Sequence, residues 1–568
     1  MVHGTEFVVE KGLPSFIRKC SSLPVIPAKA GIQNQAIGLD SRLRGNDIFM
    51  VPCEPPAHDG SLENIPCRFI KLAIYLFIVF SLLYPVVASA RTAPNIPLNN
   101  WIYNYLDILD ARGFIKSGIL STRPFSRAEG RRLTDEAMRT WDSLPDNKIN
   151  EMQDIRLMLD KLDKEFSELK ESAAADIFFK PIDTAYLRYT YSDDHPDYFN
   201  TNNNGDDIKA GNNVIAGISS DLRLGENLSL YFNPEFRGWN GGGDGEVLTG
   251  YGLLNAGNVE LVIGREPLWW GPGYHGSLLI TNNARPFGMI RLTSQSPFIL
   301  PWILRGLGEL KPTLFVTQLE DDRDFSHAKL LGMRFDFRPL SSFRIALSRV
   351  IMFGGEGRKR LTTSDWFNIL IANDNTEHAW SDSDIDNNQI ISLDFSVMIN
   401  SLERSWPFSG MKIYGEIGAE DSSGNGWPKE KAFLAGMFVD EPLFLDNTNL
   451  RIEWATTAVN TKYNAWYTHG QYSSGYTYKG RIIGHHMGAD AEDIFARVEY
   501  SPDSSVRIGL ETDFERRGVH ADPPDKRTWT ALDVLYQLKD NRGISAGYGV
   551  EDVNDASNVI WLMMDKRF

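Results

Sequence analysis

From about residue 175 onward, apolar and polar side chains alternate with a period of two. Leu331, Met333, Phe335 and Phe337 are interleaved with Gly332, Arg334, Asp336 and Arg338, so an extended strand here has one greasy face and one charged face. The rhythm returns in Val506, Ile508 and Leu510 against Arg507, Gly509 and Glu511. It returns again in Leu450, Ile452 and Trp454 against Arg451 and Glu453, and in Ile413 and Ile417 around Tyr414 and Glu416. Turn-forming clusters such as Arg338-Pro-Leu-Ser-Ser342 and Ser501-Pro-Asp-Ser-Ser505 separate the runs, and the array predicts an antiparallel meander.

The preceding stretch, from Asn100 to about Ser172, follows a helical period instead. Trp101, Tyr105, Ile108 and Leu109 share a face, with Gly113 as the stop. Ser126-Arg-Ala-Glu129 fits a capping box that opens a second helix toward Trp141. Ile155, Leu159, Leu162, Phe166 and Leu169 step by four and three and form one packing seam of a third. A three-helix bundle is predicted.

Upstream, Arg68-Phe-Ile-Lys71, an apolar run from Leu72 to Val87 and Ala88-Ser89-Ala90 read as a secretory signal cleaved after Ala90. An uncleaved anchor is the rival reading, and Pro85 and the small residues at the end argue against it. All three cysteines, Cys20, Cys53 and Cys67, precede that cut, so the processed chain is expected to carry no disulfide, thiolate metal site or catalytic thiol. No cysteine follows the run to take a lipid anchor. Residues 1–66 lack periodicity, and Val25-Ile-Pro-Ala-Lys-Ala-Gly-Ile-Gln33 resembles a repetitive element translated when a start codon is placed too early, so this leader is set aside. The expected organisation is 1–66 leader, 67–90 signal peptide, 91–175 helical bundle and 176–568 barrel.

After Ala90 no uncharged apolar run approaches the roughly 18 residues of a membrane helix. A soluble sandwich or propeller would alternate too. Export and the terminal alternating stretch Ile560-Trp-Leu-Met-Met-Asp-Lys-Arg-Phe568 shift the reading to a barrel in the outer membrane, where only closure satisfies every backbone group in lipid. Roughly 390 residues at about 20 per strand and connection predict about 16 to 20 strands. The chain is 42% hydrophobic, 11% aromatic and 23% charged with a net charge of −16. That composition folds, and it offers no basic face for nucleic acid.

Gly264-Arg-Glu-Pro-Leu-Trp-Trp-Gly-Pro-Gly-Tyr-His-Gly276, continuing to Asn282-Asn-Ala-Arg-Pro286, closely resembles the capsule-assembly Wzi family. The resemblance extends through Thr317-Gln-Leu-Glu320, Lys329-Leu-Leu-Gly-Met-Arg334, Phe337-Arg-Pro339, Tyr476-Thr-Tyr-Lys-Gly480 and Arg123-Pro-Phe-Ser-Arg-Ala-Glu129, covering nearly all of the chain after the signal. It implies an all-β transmembrane barrel of eighteen antiparallel strands with a small N-terminal helical bundle in the periplasm. It also implies a non-enzymatic, lectin-like protein that attaches capsular polysaccharide or exopolysaccharide at the cell surface. Tyr274 and His275 are positions where variation within the family is expected. A terminal Phe568 looks like the signal read by the barrel-assembly machinery. Outer-membrane lipid and lipopolysaccharide are the other expected partners, and no cofactor is expected.

The first strand is expected near Ala185, climbing outward to an extracellular loop at 192–207. Asp193, Asp194, Asp197, Asp206 and Asp207 there could gather divalent cations that bridge to anionic sugars, although the simpler reading is a solvated loop. The same applies to 373–388. Arg265, Glu266, Trp269, Trp270, Asn282, Asn283 and Arg285 form either a carbohydrate site, with aromatic faces on sugar C–H surfaces and polar groups on hydroxyls, or a plug of paired charges closing the barrel. The plug is favoured. Glu320, Asp321 and Asp322 invite a glycosidase reading, but neighbours on a strand point to opposite faces. Partnership with Arg323 and Arg334 in a lumenal charge network is expected instead. His485-His486 is taken as alternate-faced in the same way, and no metal site is expected. No G-x-S-x-G element, Walker loop or Rossmann fingerprint appears in a supporting context. Two further classes stay open: a channel for polysaccharide or solute, and an outer-membrane hydrolase.

Overall fold

In a sheet that closes on itself every inward position faces the same lumen, so the period of two separates a wet interior from an apolar exterior. The computed structural model describes residues 92–171, 176–359, 361–362, 365–366, 387–400, 406–422, 428–459, 466–538, 541–553 and 555–568. The predicted leader, signal peptide and three cysteines lie outside the described residues, as does 373–386 of the second acidic stretch.

The strands are β1 Ile177–Ser192, β2 Gly211–Leu224, β3 Leu228–Trp239, β4 Gly242–Ala256, β5 Val259–Glu266, β6 Phe287–Ser294, β7 Glu309–Gln318, β8 Lys329–Leu340 and β9 Phe343–Phe353. They continue as β10 Asn388–Asn400, β11 Gly410–Ser422, β12 Pro428–Asp440, β13 Thr448–Val459, β14 Ala491–Asp503, β15 Val506–Arg517, β16 Asp525–Leu538, β17 Arg542–Asp552 and β18 Ala556–Arg567. These eighteen form a closed antiparallel barrel, each paired to its sequence neighbour. β1 seals against β18 from Thr184↔Arg567 to Ser192↔Val559. The first strand begins at Ile177, earlier than the expected start near Ala185, because Ile177 to Lys180 already pair with Leu224 to Asp221.

The predicted faces are realised on β8, where Arg334, Asp336 and Arg338 are buried inward while Phe335 lies on the outer surface. Ile413, Ile417, Trp454, Leu510, Phe514, Leu532 and Ile560 are likewise exposed outside. This apolar belt is the kind of surface a hydrocarbon layer covers. No described helix is long and apolar enough to cross a membrane.

The connections differ at the two ends. Tight turns such as 257–258, 341–342 and 504–505 mark one end, whereas the four longest links, 193–210, 267–286, 354–387 and 460–490, leave the other.

Helices α1 Ile102–Ala111, α2 Arg127–Asp142, α3 Asp146–Glu151 and α4 Gln153–Glu171 gather at the tight-turn end. Four are described where three were expected, the short α3 interrupting the run. The seam of α4 holds: Ile155, Leu159, Leu162 and Phe166 pack with Leu133, Ala137 and Trp141 of α2 in one core. The predicted box is only half made. The Ser126 hydroxyl accepts from the Glu129 amide at 3.3 Å, but the Glu129 carboxylate turns to Arg132 at 2.7 Å and to the Ser296 hydroxyl at 2.6 Å.

The helix α1 is buried on its charged side as well as its apolar one, because it sits in the barrel mouth. Asp110 meets Arg338 at 3.3 Å and Arg344 at 2.5 Å, and Asp107 meets Arg123 at 3.0 Å and Lys412 at 3.3 Å. Burial alone would raise the Asp107 carboxyl, but Lys412, Arg123 and Arg451 overcome it and hold it below the usual carboxylate range. Gly113 ends this turn at φ +81°, as the sequence suggested.

Candidate functional site

The long links do not all stand away from the barrel. The 267–286 segment turns into the lumen, and its backbone is held by carboxylates from the wall. Glu416 on β11 accepts from the Leu278 amide at 3.0 Å, and Glu453 on β13 accepts from the amides of His275 at 3.0 Å and Gly276 at 3.3 Å, and from that of Tyr274. Successive amides converging on one anion give charge-assisted bonds, which explains an acid aimed at a loop rather than at a base.

Two glycines make this path possible. Gly271 sits at φ +149°, and a Cβ on Gly276 would lie 2.1 Å from His485 Nε2, so neither position accepts a side chain without displacement.

The second segment, 466–490, packs on the first. The Tyr476 hydroxyl donates to Leu279 O at 3.0 Å, the Thr281 amide to Ile483 O at 2.9 Å and the Asn283 amide to Ile482 O at 2.9 Å. Trp270, Leu278, Leu279, Ile280, Tyr467, Tyr472, Tyr476 and Ile483 share one hydrophobic core. Burial pushes the Tyr467 phenol up, with the Glu416 and Glu420 carboxylates adding to it. The plug is thus anchored through an apolar core that it shares with inward residues of the wall, among them Phe315, Val350 and Tyr414.

Within the 193–210 link, Tyr198 and Phe199 dip inside as well. Tyr198 stacks on Trp529 of β16 at 5.1 Å between ring centres, and Phe199 lies 5.2 Å from Trp561 of β18. Burial, then the Asp513 and Glu511 carboxylates, pushes the Tyr198 phenol well above its ordinary value. The expected solvated loop is therefore corrected in part. Asp193, Asp194, Asp197 and Asp207 face solvent, but Asp206 is buried, 3.1 Å from Arg285 and paired with Arg188. Arg188 and Arg285 inside the barrel draw it in.

Between plug and bundle lies a cavity of about 450 Å³, inside the range of about 300–1,000 Å³ for small-ligand sites. Tyr198, Trp529 and Trp561 form an aromatic shelf, and Arg451, Arg497 and Glu499 line the wall. Such a chamber can stack sugar C–H faces and bond hydroxyls or carboxylates. Its cations are already engaged. Arg497 reaches Glu511 at 2.7 Å, Asp533 at 2.8 Å and Glu499 at 3.1 Å, while Arg451 lies over the Tyr274 ring at 4.4 Å. A ligand must replace those contacts with equally good ones.

The predicted site residues divide between chamber and plug. Trp269 and Asn282 line the chamber, and the Trp269 indole N–H makes no hydrogen bond among the described residues. The other five hold the structure together. Trp270 is in the plug core, Asn283 bridges the two segments, and Arg265 donates to Pro286 O at 2.8 Å and Val247 O at 2.9 Å. Glu266 accepts from Asn95 at 2.6 Å and Arg291 at 2.9 Å, and Arg285 lies 2.7 Å from Glu246.

The expected network of Glu320, Asp321, Arg323 and Arg334 is corrected. The first three lie in the link after β7 rather than on a strand, so alternation does not govern them. Glu320 is 3.5 Å from Arg323, which donates to Thr477 O at 3.1 Å, while Asp321 and Asp322 are exposed. Arg334 belongs to a different cluster, with Asp394 at 2.6 Å and Asp336 at 2.8 Å. The His485-His486 pair also lies in irregular chain, its rings stacked 4.6 Å apart.

Sequence reasoning missed the inward acids of β14 and β15. Asp493 pairs with Glu515 and Arg497 with Glu511 in register. The signal was present in Glu511, Asp513 and Glu515, two apart on one face, but nothing local says what lies opposite.

Comparison with known proteins bears on this architecture. The family model described as Capsule assembly protein Wzi matches residues 193–558. The chain is 28% identical over 425 residues, 73% of its length and 76% of the relative's, to an uncharacterised 55.8 kDa protein in the cps region of Klebsiella pneumoniae. Among solved structures, Wzi of Escherichia coli, described as an outer membrane protein involved in group 1 capsule assembly and a carbohydrate-binding β-barrel, superimposes with a TM-score of 0.63. That match has 22% identity and covers 84% of this chain and all of the other.

Proposed function

The chain belongs to the capsule assembly protein Wzi family, and from that premise we propose that it is a non-enzymatic outer-membrane tether that holds capsular polysaccharide or exopolysaccharide at the cell surface. The helical bundle faces the periplasm and the long links face outward, in keeping with short inner turns and longer outer loops in such barrels. The unpartnered apolar belt supports insertion in lipid, and Phe568 is the terminus offered to the assembly machinery. Carbohydrate binding by Escherichia coli Wzi supports a polysaccharide partner.

The observation that carries the tether reading is the filled lumen. Two segments from the long-link end pack there in one core with the wall, and the bundle occupies the other mouth. A channel requires a continuous water path, and conduction would mean dismantling that core. Planar-bilayer recordings test this, with the expected trace closed at low voltage; steady conductance favours the channel reading. In cells, deletion is expected to shed polysaccharide into the medium at unchanged synthesis. Full retention of cell-bound polymer in the deletion strain overturns the proposal. A glycan array probed with detergent-purified protein identifies the sugar.

A further inference from the structure

One cluster of buried side chains lies against the chamber, whose lining includes His275, and has no role assigned in the glycan reading. It is built from four separate places: His275 on the first plug segment, His486 on the second, Asp493 on β14 and Asp513 on β15. Phe495 pairs with Asp513 and Asp493 with Glu515, so the two aspartates are diagonal neighbours on one inward face. One donor atom from each of the four lies within 4.8 Å of all the others, and all four side chains are buried. His275 Nε2 is 3.5 Å from Asp493 Oδ2 and 3.6 Å from Asp513 Oδ1, and His486 Nε2 is 3.3 Å from Asp493 Oδ2. Four ligands about 2.0 Å from a tetrahedral ion stand about 3.3 Å apart, which these separations approach.

Those same four atoms make no hydrogen bond of acceptable geometry among the described residues. Buried polar atoms are almost always satisfied, so several orphans turned toward one point call for a missing partner. Charge points the same way. Glu515 turns one oxygen to Arg517 at 2.8 Å and the other to His486 Nε2 at 3.0 Å, but the ion-pair partners of Asp493 and Asp513 among the described residues are histidines only. A divalent cation neutralises two carboxylates that otherwise repel in a medium of low dielectric.

The rings are already held in place. His275 stacks on Phe495 at 4.1 Å, and the other nitrogen of His486 faces the Asn202 side-chain amide at 3.3 Å.

We propose that His275, His486, Asp493 and Asp513 form a closed binding site for a divalent first-row transition-metal ion, with zinc as the natural occupant, that staples both plug segments to the barrel wall. Two imidazoles with two carboxylates select such ions over calcium or magnesium, which take oxygen alone. Four protein ligands leave no open position, so the role is structural rather than catalytic. The site accounts for His275 of the first plug segment meeting His486 of the second and two carboxylates of the wall in one place, and it is independent of which glycan the protein holds.

The test uses tag-free, signal-processed protein in detergent, stripped with a chelator and checked for the heat-modifiable gel mobility of a folded barrel. Titration with Zn2+ is expected to saturate at one equivalent per chain, and Co2+ to give the intense visible bands of a tetrahedral site. Excess Ca2+ is expected not to displace either ion. His486→Gln and Asp513→Asn, each scored only after folding is verified, are expected to weaken Zn2+ binding by at least about tenfold. The Co2+ spectrum of the unaltered protein needs no variant. Absence of saturable binding, a weak octahedral Co2+ spectrum, displacement by Ca2+, or undiminished affinity in both folded variants overturns the proposal.

Discussion

Replacing Arg334 with methionine isolates what a lumenal cation contributes to this barrel. Arg334 is fully buried on β8. Its guanidinium donates to Asp394 at 2.6 and 3.2 Å, to Asp336 at 3.0 Å, to the Thr122 hydroxyl at 2.7 Å and to the Ser348 hydroxyl at 2.8 Å. Removal strands two carboxylates. Asp336 keeps the hydroxyls of Ser121 at 3.0 Å and Thr122 at 2.6 Å, so most of the cost falls on Asp394. Breaking a buried pair from one side costs about 3–5 kcal/mol. Neutralising the whole cluster as Arg334→Met, Asp336→Asn and Asp394→Asn removes the stranded charge and is expected to recover stability to within about 1 kcal/mol of the parent. Urea unfolding of the refolded barrel in detergent, followed by tryptophan fluorescence, reads both values from the midpoint at constant slope. A single variant as stable as the parent, or a triple variant no better than the single, refutes the assignment of Arg334 as the compensating charge.

Trp270→Ala, which empties a fully buried indole from the plug core, is expected to cost about 3–5 kcal/mol. With Trp269→Ala added it lowers the heat-modifiable fraction; full assembly with selective loss of glycan binding would reassign the pair to a sugar site. Phe335→Arg places a charge on the outer belt and is expected to cost about 2–4 kcal/mol in lipid vesicles if the position is near mid-bilayer, a loss that disappears if this face is wet. Trp529→Ala removes the floor under Tyr198 and is expected to reduce glycan retention without opening a conductance, read by array signal and bilayer recording on the same preparation.

The barrel was legible because its signal is local. Leu331 to Arg338 need no distant partner to show two faces, and strand after strand repeats the message. The seam of α4 was legible for the same reason. The apolar face of α1 held as well, with Ile108 and Leu109 in the core and Trp101 and Tyr105 packed against it, but the burial of Asp107 and Asp110 on its other side was not legible. A helix set in a barrel mouth is covered by charged walls, which its own periodicity does not announce. Asp206 and His486 were misread likewise, one as solvated and the other as strand-borne, since nothing around them in sequence says that their segments fold inward.

By itself, then, the order of residues determined a sheet with a dry side and a wet side, a helical preface, and an odd Gly-Trp-rich string at 264–276. Its own rule, that successive side chains on a strand point oppositely, works over a few residues and requires no more. The tertiary structure decided which lumenal charges meet, that 267–286, 466–490 and Tyr198–Phe199 enter the lumen, and that His275, His486, Asp493 and Asp513 come together. Those pairings depend on barrel closure and on the paths of irregular segments. Both are settled by contacts between residues hundreds of positions apart, for which no local pattern exists.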